Sequence, residues 1–450
     1  MSGAARYSSG VTSAPSAPGI RALPPGVGAG GRTALATLML FTLFAGDFWR
    51  NLISWPGYFA LAGVLAVVSI VLLFRIRPPF RWRRTPWTLV AFLVLATLSI
   101  AWSFYPGASA LGVLAQWVTT AGAVFLALCL EWAQLLRSLA NAFKWILALS
   151  LIFEFVVAVI IRRPIIPLWV DYGKGPYPQA FYWSRGLLLH GGQIQGIQGN
   201  SNLLAMVALL SLLVFGIQYA DRTVRRGWGV AWLVVAALAL ALTRSSTVIL
   251  AGVAAVVVLA FALWMRRVAP DRRRPVYLTA AALVVVVAAL GTVFASRIPL
   301  LFGKSEDFTG RLTIWKQVIE LAQQRPVFGW GWVSYWAPWV KPFEGLAKRN
   351  GVVYLQAHNA WLDVWLQLGV VGLVVFILLV LSTLGRSWFF AVDRPRWRVA
   401  AAEPYSALTL LPLLLLAALI AQSFAESRML IEAGWALLVL LAVKTKQSAP

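Results

Sequence analysis

Apolar runs of spanning or near-spanning length recur along the chain, and they restrict its fold more than any other feature. They lie at roughly 33-48, 52-74, 86-102, 109-130, 139-161, 201-219, 228-243, 246-265, 276-295, 360-384, 405-422 and 433-443. About 20 apolar residues cross the hydrocarbon core of a bilayer, and backbone amides in lipid must bond within their own helix. The pattern predicts an all-α polytopic membrane protein of about 12 transmembrane helices. Composition agrees: 60% of the 450 residues are hydrophobic, 12% are charged and mean hydropathy is +0.78, whereas soluble domains are about half apolar and a quarter charged. A soluble enzyme is excluded. The net charge of +24 would point to nucleic acid in a soluble chain. Here the basic residues cluster between apolar runs, so the membrane accounts for them and no nucleic-acid partner is expected. Cys129 is the single cysteine and can form neither an intrachain disulfide nor a cysteine metal site.

The organisation is that of one membrane domain, 33-443, between a disordered tail at 1-32 and a short tail at 444-450. Alternate loops differ sharply in basic residues: 23 lie in one set, and only Arg50, Arg244 and Arg428 lie in the short loops of the other. Positive charge stays inside, so both tails are expected in the cytoplasm. The two long loops, 162-200 and 296-358, then face outward. Long loops without an evident element are uncommon unless they serve a function.

The larger loop opens with SRIPLLFGKSEDFTGR and continues into LTIWKQVIELAQQRP. There Leu312, Trp315, Ile319 and Ala322 recur at helical spacing, which predicts a short helix with Arg311 in its first turn, lying on the membrane surface or simply packed against the protein. The aromatic stretch PVFGWGWVSYWAPWV reads either as an interfacial belt or as a platform for stacking sugar rings. His358 and Asn359 close the loop in HNAWLDVWLQLGVVG. An imidazole at a water-facing helix start suits proton transfer from a hydroxyl nucleophile, although a lone histidine without its neighbours is more often structural. Gly369 and Gly372, a turn apart, would let another helix approach closely.

Arg244 stands in LALALTRSSTVILA, at the turn between two apolar spans. A guanidinium there either snorkels to headgroups or binds an anion, and its planar fork suits a diphosphate without a metal. No metalloprotease, Walker or dinucleotide motif is present, nor an acidic cluster with Mg or Mn spacing, so no metal or cofactor is expected. Lys144, Glu154 and Asp363 are the main intramembrane charges, few for an ion-coupled relay.

At these residues the chain resembles the O-antigen ligase superfamily, bacterial membrane glycosyltransferases that take a glycan from a polyprenyl diphosphate carrier. His358, Asn359, Gly369 and Gly372 reproduce the family's His-Asn, nine residues, Gly, two residues, Gly pattern. GIQGNSNLLA, with Asn200 and Asn202, is similar to the Asn-x-Asn segment, and TRSS to the Ser-Arg turn with Arg244 in register. TGRLTIW followed by PVFGWGW resembles the Gly-Arg and Gly-x-Gly part of the catalytic loop. The chain departs from the family at Gln367, where Glu is frequent, and at Gln193, where Arg is common and Arg185 stands nearby.

The resemblance implies a metal-independent, inverting transferase in the bacterial plasma membrane. His358 and Arg311 would be catalytic; Arg244, Asn359, Arg185, Asn200 and Asn202 would bind substrate. The implied partners are a polyprenyl diphosphate-linked glycan donor, a glycan, lipid or protein acceptor, and membrane lipids. A repeat-unit polymerase of the same superfamily is the nearest alternative. A lipid-linked glycan flippase or exporter and a wall-polymer scaffold are further ones.

Overall fold

A computed structural model describes residues 28–170, 177–293, 305–349, 352–393, 396–398, 401–402 and 405–448. A helix occupies every apolar run. These are α1 (Ala29–Phe44), α2 (Gly46–Ile76), α3 (Trp87–Leu98), α4 (Pro106–Cys129), α5 (Trp132–Val156), α6 (Ser201–Ala220), α7 (Arg226–Thr243), α8 (Ser246–Met265), α9 (Arg273–Val293), α11 (Ala360–Val392), α12 (Leu411–Ser423) and α13 (Glu432–Gln447). The large loop adds α10 (Ser305–Gln323). Among the described residues the strands are two short antiparallel hairpins, Lys348–Arg349 with Val352–Val353 and Arg396–Arg398 with Ala401–Ala402. Among the described residues seven helices, α2, α4 to α8 and α11, are by themselves long and apolar enough to cross a membrane. The molecule is an all-α, multi-pass membrane protein. Residues 1–27 of the expected tail and 296–304 of the larger loop lie outside the described residues, and α1 already begins at Ala29.

Local sequence sets where the helices start and bend. Glu131 and Gln134 form a reciprocal capping box at the start of α5, and Pro106 occupies the first turn of α4, where its missing N–H costs nothing. Pro56 cannot continue the ladder of α2, and the chain breaks at Ser54, whose φ is 70°. Helices α6, α12 and α13 form the interior, while α2, α7 and α8 turn large side chains such as Phe74, Val234 and Val256 outward. Such faces are stable only against lipid tails. The intramembrane charges are each engaged: Lys144 lies over the Phe215 and Trp232 rings, and Glu154 accepts from the backbone N–H of Gln195 and Gly196 and from Ser184 Oγ. Glu154 therefore anchors the loop that leads into α6.

A second, smaller core sits at one end of the bundle. Ile314, Val318 and Ala322 of α10 pack there with Tyr105, Val333, Trp336, Phe343, Ala357 and Leu366. The helix in the loop is as expected, and Ala322 of the expected stripe is buried, but the rest of its inward face is shifted. Leu312 is half exposed, and Ile314 and Val318 take the buried positions four residues apart. The aromatic stretch is also reassigned in part. Trp332 packs edge-on against Phe92, and Trp336 stacks on Phe343 and donates to Asp363 Oδ1, so both are core residues. Phe328 and Trp339 are the exposed members.

The two glycines after the His-Asn pair do not receive a helix. Helix α11 opens at Gly369, whose φ is 65°, and the loop backbone enters the gap: Val370 and Val371 N–H donate to the Pro326 and Val327 carbonyls, and Trp330 and Gly331 N–H donate to the Leu366 and Gln367 carbonyls. A Cβ at Gly369 would overlap the Val327 carbonyl. Gln367 completes the interlock, its Oε1 accepting from Val333 and Ser334 N–H. Replacing Gly369 by Ala should lower the melting temperature markedly, since its positive-φ, extended-ψ backbone costs any other residue about 1–3 kcal/mol before the overlap is relieved. Gly216, with open space around it, is the control, and G216A should melt at or near the wild-type temperature. Thermal unfolding of both variants in detergent checks this.

Candidate functional site

Three helix starts, those of α6, α8 and α11, meet at the end of the bundle that carries the smaller core. Each is capped by a polar side chain. Asn200 Oδ1 accepts from Asn202 and Leu203 N–H, Ser245 Oγ from Val248 N–H, and Asn359 Oδ1 from Trp361 and Leu362 N–H. Asn200 and Asn359 thus spend their side-chain oxygens on helix amides. Asn359 also donates through Nδ2 to the Phe424 carbonyl, tying α11 to the turn between α12 and α13.

That turn supplies Glu426, which is 6% exposed. His358 Nδ1 is 2.9 Å from Glu426 Oε2, and Arg311 Nη2 is 3.0 Å from Oε1. Asn202 Nδ2 donates to Oε1 at 3.5 Å and Gln356 Nε2 to Oε2 at 3.4 Å. Around this centre Ser245 Oγ donates to Asn202 Oδ1 at 2.7 Å, and Arg311 Nη1 to Thr247 Oγ1 at 3.2 Å. Residues from three separate parts of the chain contact this one carboxylate, and a fourth part, at Ser245 and Thr247, braces two of them. Burial by itself would raise the Glu426 pKa, but the His358 ring, Arg311 and Arg428 overcome it and bring the value from 4.5 down to about 2. The carboxylate is ionised and acts as acceptor to every neighbour.

His358 is held in a conformation that few residues adopt. Its φ is 51°, in the left-handed region, where strain is characteristic of functional sites. Asp363, one turn into α11, fixes the backbone on both sides: it accepts from Ala357 N–H at 2.9 Å and from Ser427 Oγ. The Asp363 carboxylate therefore joins the residue before His358 to the residue after Glu426.

A second charged group braces the same turn from below. Arg428 donates to Glu432 and to the Tyr335 hydroxyl, and Arg50 donates to Glu432 and pairs with Asp47 at 2.5 Å. Burial would lower the Arg428 pKa, but Tyr335, Asp47 and Glu432 raise it above its ordinary value. Among the described residues no three His, Cys, Asp or Glu side chains gather as a cation site.

Residues 229–377 match the family model described as O-Antigen ligase. Over that third of the chain the protein is similar to the O-antigen ligase family. A curated relative, the exopolysaccharide production protein ExoQ of Rhizobium meliloti (strain 1021), is 28% identical over 158 residues. The similarity covers 33% of this chain and 35% of that relative, so the chain aligns with about a third of its length.

The superfamily match holds Arg244, Arg311, His358 and Asn359 but ends well before Glu426. Of the residues anticipated from sequence, His358, Arg311 and Asn202 meet at the carboxylate. Arg244 is the left-handed cap residue of α7, next in the chain to Ser245, and its Nη2 lies near Gly191. Arg185 donates to Gln179 Oε1 and to the carbonyl of Gln193, so it occupies the neighbourhood of the residue it was expected to replace. Glu426, Ser245, Thr247 and Gln356 were not anticipated. One signal was available for Glu426: with only 15 acidic residues in the chain, a carboxylate in a short turn between apolar runs needs a partner.

The depressed pKa has a thermodynamic consequence. A carboxyl with a lowered folded pKa stabilises the fold above its ordinary value, and that contribution is lost as pH falls toward the folded value. Wild-type protein should therefore lose melting temperature between pH 4.5 and about 2. E426Q should start lower at neutral pH and show a flatter profile across the same window. Melting curves recorded through this range check both features.

Proposed function

We propose that the chain is a glycosyltransferase that moves a glycan from a polyprenyl diphosphate carrier to an acceptor hydroxyl. The observation that carries this reading is the His358–Glu426 pair at 2.9 Å with Arg311 on the other carboxylate oxygen. Glu426 accepts the Nδ1 proton and so leaves the Nε2 lone pair as the base. Nε2 takes the acceptor hydroxyl proton while the oxygen attacks the anomeric carbon from the face opposite the diphosphate. The bond from that carbon to the diphosphate oxygen breaks, its electron pair leaves with the polyprenyl diphosphate, and the sugar inverts. Glu426 stabilises the imidazolium formed, which later returns its proton to water.

Arginine supplies the countercharge. Arg311 is held by Glu426 and Thr247 through two of its N–H groups, and a guanidinium has five. The remaining ones, with Arg244 and Arg185 as flanking cations, suit the leaving diphosphate. Asn202 orients Glu426; Asn200 and Asn359 act by fixing the helix starts that present the neighbouring residues.

Twelve spans in a bacterial plasma membrane, with both termini cytoplasmic, agree with a helix in each apolar run and with the uneven distribution of basic loop residues. The site then faces outward, between the loops 162-200 and 296-358 of the single membrane domain. The gathering of His358, Glu426, Arg311 and Asn202 at one end of the bundle favours a transferase over a flippase, which needs a site reached from both sides. The exopolysaccharide production named for the relative favours, as a second reading, a polymerase that adds repeat units to a growing chain.

His358→Ala should reduce glycan transfer by about 10²–10⁴-fold, the usual contribution of a positioned base, and Arg311→Ala should abolish it, with both proteins still folded in membranes. Reconstitution with a defined polyprenyl diphosphate oligosaccharide and candidate acceptors measures the effect. Transfer of a single block identifies a ligase and a ladder identifies a polymerase. Near-normal transfer by both variants rejects the assignment.

A further inference from the structure

We infer that the groove between α1 and α5 is a binding site for an anionic phospholipid, at the face of the protein opposite the glycan site. The groove has a volume of about 750 Å³, within the range of small-molecule sites, and both of its walls belong to membrane helices. Its lining changes character along its length. Thr33, Arg137 and Asn141 lie toward the helix starts, and Phe41, Trp145 and Leu149 lie toward the other end.

This polarity fits an amphipathic ligand of defined length. From Arg137 to Leu149 the helix rises about 18 Å, close to one leaflet of a core about 30 Å thick. A phosphate at Arg137 would therefore leave an acyl chain lying along Trp145 and Leu149 and ending near the bilayer midplane. Arg137 is exposed, and among the described residues its side chain makes no hydrogen bond or ion pair. Its charge is permanent, and its planar fork suits a phosphate diester. The nearest acid in the chain, Glu131, is turned to the first amides of α5 in the capping box.

The groove is distinct from the donor site. Helix α5 runs from Arg137 near its start to Glu154 near its end, and Glu154 holds the loop that leads into α6 beside His358 and Glu426. The headgroup end of the groove thus belongs to the leaflet away from the transfer chemistry, and the lipid it takes is a component of the membrane, not a substrate.

Native mass spectrometry of the full chain in detergent, titrated separately with palmitoyl-oleoyl phosphatidylglycerol and palmitoyl-oleoyl phosphatidylcholine, tests the inference. The wild type should retain the anionic lipid about fivefold more strongly, the effect of one basic residue at a charged lipid surface. R137Q should bind the two lipids equally. A34W, which places a bulky ring at an exposed position in the groove wall, should weaken both. Equal binding by the wild type, a preference that survives R137Q, or undiminished binding by A34W would each overturn the assignment. Crosslinking of the groove to another part of the chain or to a second copy would do the same.

Discussion

A carboxylate removed from water must be matched by charge and hydrogen bonds, or it destabilises everything around it. Glu426 meets that requirement with an imidazole, a guanidinium and two amides drawn from α6, α10, the α11 start and the preceding loop. Removing any one partner leaves the others with an incomplete shell, so the residues hold one another in place. Asp363 repeats the arrangement by joining Ala357, Ser427 and Trp336. Two buried acids thus fasten the C-terminal turn to the end of the large loop.

The second constraint is made of backbone alone. By opening α11 at Gly369, the chain frees amides and carbonyls that a continuous helix would have consumed, and the segment 326–331 takes them up. Unpaired backbone groups at a membrane helix would be costly; here they become the means by which a loop is locked to a span. Gly329 and Gly331 adopt positive φ at the contact, and a Cβ on Gly329 would meet the Gln367 carbonyl carbon at 2.5 Å. The spacing of glycines in both motifs is the trace of this interlock.

Much of the architecture was legible in the sequence because hydrocarbon imposes a simple rule, and every run that obeyed it is helical. His358 and Arg311 were legible through motif spacing and through their place at the ends of spans. What periodicity alone did not reveal is the partner to which they bind, because contacts between residues far apart in the chain leave no local pattern. The reading of Gly369 and Gly372 failed for a related reason: small residues permit any close approach, by loop as well as by helix. The aromatic stretch was ambiguous until packing separated Trp332 and Trp336, which fill cores, from the exposed Trp339.

The block of the chain that matches the family model and the Glu426 cluster do not share a boundary. The matched region closes at residue 377, and the acid that completes the histidine lies about fifty positions later, past another whole membrane helix. A fragment trimmed to the recognisable segment would carry an imidazole with nothing to orient it. Grafts and chimaeras between such proteins must accordingly exchange the penultimate turn together with the large loop, as a matched set.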